Sequence, residues 1–112
     1  MNITEPDWRM FKKKLPVWQE AYMERLNREY IDILSGNGYA SEKFWQLEQR
    51  IKKDRKSSGV ITELTRRNAI PCIVRLLSDG IIVPNDLEGF SKDLVETVCI
   101  FWKIDHKDTQ RL

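Results

Sequence analysis

The side chains able to carry covalent or acid–base chemistry are few and scattered. The one histidine, His106, follows Cys99 by seven residues, so a helix running through both would set them along one face. Nucleophilic catalysis needs a base within hydrogen-bond reach of the thiol and a third group that orients the base. No such third group accompanies this pair, and no catalytic residue is expected. A carboxylate-bridged di-iron bundle needs two Glu-x-x-His pairs, and the sequence contains none. Two cysteines and one histidine are too few for a closed four-ligand zinc site. Ser35-Gly36-Asn37-Gly38 is glycine-rich, but it follows a helical pattern and lacks the Lys-Ser or Lys-Thr of a phosphate-binding loop. The expectation is a protein that is not an enzyme and uses no cofactor and no metal.

Binding chemistry is better represented. Arg50, Lys52, Lys53, Arg55 and Lys56 form a basic run, and Arg66 and Arg67 follow after a turn. If the flanking helices made an antiparallel hairpin, these seven cations would share one end of it and could contact phosphates. Asp54 interrupts the run, and Glu48 and Glu63 are spaced to pair with Lys52 and Arg67, so a solvated charged end is the first reading and nucleic-acid binding the alternative. Four Trp, four Phe and three Tyr are many for one small core. Trp, Tyr and Arg dominate interface energies, and Trp8, Phe11, Phe101 and Trp102, near the two chain ends, are the expected protein-binding residues. Each is also a natural core residue. A small-molecule pocket lined by Trp18, Tyr22 and Tyr30 is a third reading.

Composition bounds these readings. A chain of 112 residues fits one domain, expected over residues 1–104 with a polar, mobile tail at 105–112. Apolar residues at 41% and charged residues at 32% mark a folded chain with a charged surface. The net charge of +2 favours neither nucleic acid nor membrane as partner. The longest uncharged stretch, Ile33 to Ser41, falls far short of the roughly twenty apolar residues of a membrane helix. No basic segment precedes an apolar one at the N-terminus, and Cys72 and Cys99 sit inside apolar stretches, so the expected compartment is the cytoplasm.

The elements that must position these residues read as helices. Thr4 caps a first helix with Pro6 in its opening turn, and Trp8, Phe11 and Leu15 form its stripe. Pro16 predicts a kink or break. A second helix then runs to Leu34 with Trp18, Tyr22, Leu26, Tyr30 and Leu34 as its ladder. Ser41 caps a third, through Arg55, whose buried stripe is Phe44, Leu47 and Ile51. A fourth spans Val60 to Asp79, kinked by Pro71 near Asn68, and ends at Gly80 in a Schellman turn. Pro84 opens a short helical turn, and Ser91 caps a last helix carrying Leu94, Val98, Phe101 and Trp102. The fold class is all-α: an irregular bundle of four to five helices, kinked at Pro16 and Pro71.

The runs Trp18-Gln19-Glu20-Ala21-Tyr22-Met23-Glu24-Arg25-Leu26, Ser41-Glu42-Lys43-Phe44-Trp45 and Asp86-Leu87-Glu88-Gly89-Phe90-Ser91 resemble those of short uncharacterised helical proteins of Gram-positive gut bacteria, over residues 7 to 98. Some of these carry the label "multidrug transporter", which a chain without a membrane span contradicts. The resemblance implies a recurring helical unit and carries no activity. The expected function is a non-enzymatic adaptor or regulatory module that binds another protein, self-association as a homodimer included. The alternative is a nucleic-acid-associated regulator using the basic end.

Overall fold

The first helix settles the shape of the molecule. In the computed structural model, which describes the backbone of residues 2–110 and the side chains of residues 2–104, α1 runs unbroken over Glu5–Ser35. Thr4 caps it as expected, its hydroxyl accepting from the Asp7 N–H at 3.4 Å. Of the kink or short break expected at Pro16, the break is absent. A proline inside a helix forfeits one hydrogen bond, here to the carbonyl of exposed Lys12, while Phe11 and Leu15 on the adjoining face are buried and hold the backbone in register.

α2 (Ala40–Asp54) folds back on the second half of α1, and α3 (Ala69–Ser78) packs against α4 (Lys92–Gln110). A 3₁₀ turn at Pro84–Leu87 joins the latter pair. The chain is therefore all-helical, with no strand and no helix long and apolar enough to cross a membrane among the described residues. α4 carries the helix to Gln110, into the stretch expected as a polar tail.

The core lies at one end. Phe11 and Leu15 of α1 meet Ile70, Ile73, Val74 and Leu77 of α3, Leu94 and Val98 of α4, and Leu87 and Phe90 between them. The rings of Trp8, Phe11, Trp18 and Phe90 follow one another at centroid spacings of 6.4 Å. α3 is shorter than expected because Pro71 falls in its first turn, where an N–H would have no helical partner, and so starts the helix rather than kinking it. Its end is as expected. Gly80, at φ 75°, sends its N–H to Leu77, the Ile81 N–H reaches Leu76 at 2.9 Å, and buried Ile82 folds back on the last turn.

Three polar residues are buried among the described residues, and each joins two elements. Asp7 accepts the Ser91 N–H at 2.9 Å and the Ser91 hydroxyl at 2.6 Å, tying α1 to the start of α4. The same hydroxyl caps α4 through the Leu94 N–H. Asp54 joins α2 to α1. Ser58 donates to Asp79 at 2.7 Å, while its carbonyl accepts from Gln19 and Thr62. These bonds hold residues 55–68 as an irregular strap where the fourth helix was expected to begin. Gly59 in that strap touches the Tyr22 ring and Ile81 so closely that no Cβ fits there.

Two substitutions probe these joints. Asp7→Ala leaves the Ser91 N–H without its buried acceptor and is expected to lower unfolding free energy by about 2–3 kcal/mol. Gly59→Ala drives a methyl into Tyr22 and Ile81 and is expected to lower it by about 1–3 kcal/mol. Urea denaturation followed by circular dichroism measures both, and an unchanged midpoint in either would mean that the joint adds no stability.

Candidate functional site

The second half of α1 leaves the core behind and has α2 as its packing partner, so the two helices form an arm. The molecule is accordingly elongated, with extents of 52 × 34 × 22 Å. Within the arm, Leu26 is the one apolar side chain of α1 that is fully buried. Tyr30 and Ile33 are half-buried, and Leu34 is exposed. On α2 the half-buried stripe is Lys43, Leu47 and Arg50, completed by buried Asp54.

Polar contacts carry the seam. The Tyr30 hydroxyl donates to Asp54 Oδ2 at 2.7 Å. The Arg50 guanidinium lies 3.3 Å from Glu29 and 3.6 Å from Asp54. Burial, reinforced by the Asp54 carboxylate, pushes the Tyr30 phenol up to about 12. This seam explains a correction to the expected buried stripe. With Lys43, Arg50 and Asp54 drawn toward α1, Phe44 and Ile51 are rotated onto the neighbouring flank, where they stay 61% and 39% exposed. Leu47 lies on the boundary. Trp45 is 60% exposed, its ring edge-on to Phe44 at 4.9 Å. No side chain of Ser41 caps α2, which starts from Tyr39 without a side-chain bond. Asp54 is the buried residue of α2, and no apolar side chain of that helix is buried.

The flank forms a groove of about 380 Å³ lined by Phe44, Leu47, Glu48, Ile51, Lys52 and Arg55. The Glu48–Lys52 pair expected from its spacing does not close. Among the described residues, Glu48, Lys52, Lys53, Arg55, Lys56 and Arg67 all lack an ion-pair partner. The expected basic end is dispersed. Arg50 belongs to the seam, and Arg66 turns to Glu5 at 2.6 Å, where Arg9 and Arg66 together hold the Glu5 carboxyl below its usual range. The hairpin that was to gather the seven cations is absent because residues 55–68 are a strap.

A second groove, of about 530 Å³, lies between the strap and α3, with Arg55, Lys56 and Arg75 at its edges and Ile61, Pro71 and Cys72 among its lining. Burial pushes the Cys72 thiol up, keeping it protonated. Cys99 is half-buried, and the His106 side chain lies outside the described residues. Among those residues no three His, Cys, Asp or Glu side chains gather as metal ligands.

The four aromatic residues expected at an interface are divided by the fold. Phe11 is fully buried in the core, and Trp8 and Trp102 are half-buried against it. Phe101 is half exposed and borders a groove of about 370 Å³ with Ile70, Pro71 and Val74. Trp18, Tyr22 and Tyr30 do not share a pocket: Trp18 stacks on core rings, Tyr22 abuts Gly59, and Tyr30 binds Asp54. Sequence reasoning missed the surface position of Phe44, Trp45 and Ile51. The available signal was the polar stripe Lys43, Arg50 and Asp54, which competes with the apolar one for the side facing α1. Compared with known protein families, curated proteins and solved structures, the chain gives no match.

The Tyr30–Asp54 bond has a pH signature. A phenol raised from its usual 10 to about 12 adds stability that is fully present below pH 10 and is lost as pH climbs through 12. Wild type is expected to lose stability progressively across that interval, and Tyr30→Phe to lose less of it. Denaturant midpoints measured between pH 9 and pH 12 test this, with equal slopes for both proteins counting against the bond.

Proposed function

We propose that this protein is a non-enzymatic protein-interaction module and that the flank of α2 bearing Phe44, Leu47 and Ile51 is its contact surface. One observation carries the reading: a fifteen-residue helix keeps Phe44 and Ile51 of an i, i+3, i+7 apolar stripe exposed, with Leu47 half-buried at its edge, while its buried residue is an aspartate. An amphipathic helix normally directs such a stripe to a core. Here the stripe adds nothing to the core of its own chain, and clustered exposed apolar side chains mark contact sites. Trp45 beside the groove supplies the kind of rigid aromatic anchor that dominates interface energies. The unpaired Glu48, Lys52 and Arg55 form its rim, where charges steer encounter more than they add affinity. Phe101 and its groove stand as a secondary contact on the opposite pair of helices. The reading includes a reducing compartment, the cytoplasm, in keeping with Cys72 and Cys99 as free thiols.

A nucleic-acid-associated role is the second reading. It is favoured by the exposed and unpaired Lys52, Lys53, Arg55, Lys56 and Arg67. Under it, binding would weaken steeply with salt and with Lys52→Glu, Lys53→Glu and Lys56→Glu combined.

The experiment is site-specific photo-crosslinking in cells expressing the full chain. A photoreactive residue replacing Phe44 or Ile51 is expected to give a discrete protein adduct, and one replacing exposed Asn85 on the 3₁₀ turn to give none. Failure to form a discrete adduct at either α2 position, or the same adducts at Asn85, would overturn the contact surface. Adducts that vanish on nuclease treatment before irradiation would move the assignment to nucleic acid.

A further inference from the structure

The charge order along the flank of α2 identifies what sits on it. Glu48 precedes Ile51, and Arg55 follows it, all three on the groove and separated by one turn each. Glu48 and Arg55 are seven residues apart, on the same flank, and neither has an ion-pair partner among the described residues. Lys52 also lines the groove, one residue past Ile51, so the flank reads acid, apolar, base, base in chain order, with both cations on the C-terminal side of Ile51.

We propose that the occupant is a second copy of this chain, with the two α2 helices antiparallel across a two-fold axis near Ile51. This rests on the reading of the flank as a contact surface and names its partner. A two-fold contact uses the same patch twice and must be complementary to itself. Antiparallel pairing inverts the order, so Glu48 of each copy meets Arg55 of the other. The distances agree: with a rise of about 1.5 Å per residue, Glu48 lies about 4.5 Å to one side of the axis and Arg55 about 6 Å to the other, within reach of both long side chains. Parallel pairing would set Glu48 on Glu48 and Arg55 on Arg55, so like charges select against it.

The apolar groups fit the same register. Ile51 of one copy faces Ile51 of the other at the axis. Phe44, about 10 Å out, passes Arg55 of the second copy toward its strap. There Ile61 is 65% exposed and Leu64 is 37% exposed, so the strap offers apolar surface, most of it from Ile61. Two arms joined this way make a four-helix arrangement in which the outer stripe of each α2 becomes interior. The apolar flank, the open pair Glu48 and Arg55, and the exposed strap are thus accounted for by one contact.

The test is the mass of the purified full chain by light scattering across a concentration series reaching high micromolar. A dimer is expected, and Ile51→Glu, which sets two carboxylates face to face at the axis, is expected to be monomeric with an unchanged circular dichroism spectrum. Glu48→Arg and Arg55→Glu each create two like-charge contacts and are expected to weaken the dimer at least about tenfold. An equimolar mixture of these two variants restores both opposite-charge contacts and is expected to dimerise within about threefold of wild type. A wild-type chain that stays monomeric at every concentration overturns self-pairing. Crosslinks from position 44 to a different protein would then leave the contact surface standing with another partner. A dimer that survives Ile51→Glu, or single charge variants that the mixture fails to rescue, overturns the antiparallel contact.

Discussion

The structure depends on one mismatch of length. α1 has 31 residues and extends for about 46 Å, whereas the core formed by α3, α4 and the 3₁₀ turn accompanies only its first half. Beyond Arg25, whose guanidinium reaches the Gly80 carbonyl at the end of α3, the helix projects past that core. A helix that continues into solvent must find a partner or fray, because a lone helix is marginal in water. α2 is that partner, returned by the glycine-containing turn at 36–39. Two helices have four flanks between them and bury one each, so an arm of two necessarily leaves surface that a third layer would cover.

The buried polar groups follow from the same geometry. Hydrophobic burial supplies the body, where fourteen residues form one cluster. It does not reach the joints. There Asp7, Asp54 and Ser58 take over, each satisfied by hydrogen bonds from a different element. Such groups cost free energy unless every bond is made, and they are directional where apolar contact is not. They fix how the strap enters, how α2 closes on α1 and where α4 starts.

Local chemistry was the readable part of the sequence. The Thr4 cap, the Schellman end at Gly80, the 3₁₀ turn opened by Pro84 and the Ser91 cap each depend on residues within a few positions, and each is found. Apart from the Ser41 cap, which α2 does without, what was misjudged depends on distant partners. Pro16 looked like a break because its lost bond is local, while the packing of Phe11 and Leu15 that outweighs it is not. Pro71 looked like a kink because the helix was assumed to begin at Val60. The strap that replaces that first part is held by Gln19 and Asp79, far from it in sequence. The hairpin expected to gather the basic residues at one end went with it. The stripe of α2 was read correctly as a stripe and wrongly as buried. Periodicity shows that a face is apolar and is silent on whether its own chain covers it.

That silence matters most where the two halves are compared. The same i, i+3, i+4 logic places Ile70, Ile73, Val74 and Leu77 of α3 in the core and Phe44, Leu47 and Ile51 of α2 on a flank, although both helices are strongly amphipathic in sequence. The difference is the company each keeps. α3 has α4 and α1 on its apolar side, whereas the apolar flank of α2 faces away from its one neighbour. An arm sealed by Leu26, a phenol–carboxylate bond and a guanidinium between two carboxylates is held in register by direction more than by burial. Its stability is therefore expected to lie below that of the body, since local stability tracks buried apolar contact. Covering the flank would add to the arm the one contribution its own chain withholds, so association there would also be the step that consolidates the arm.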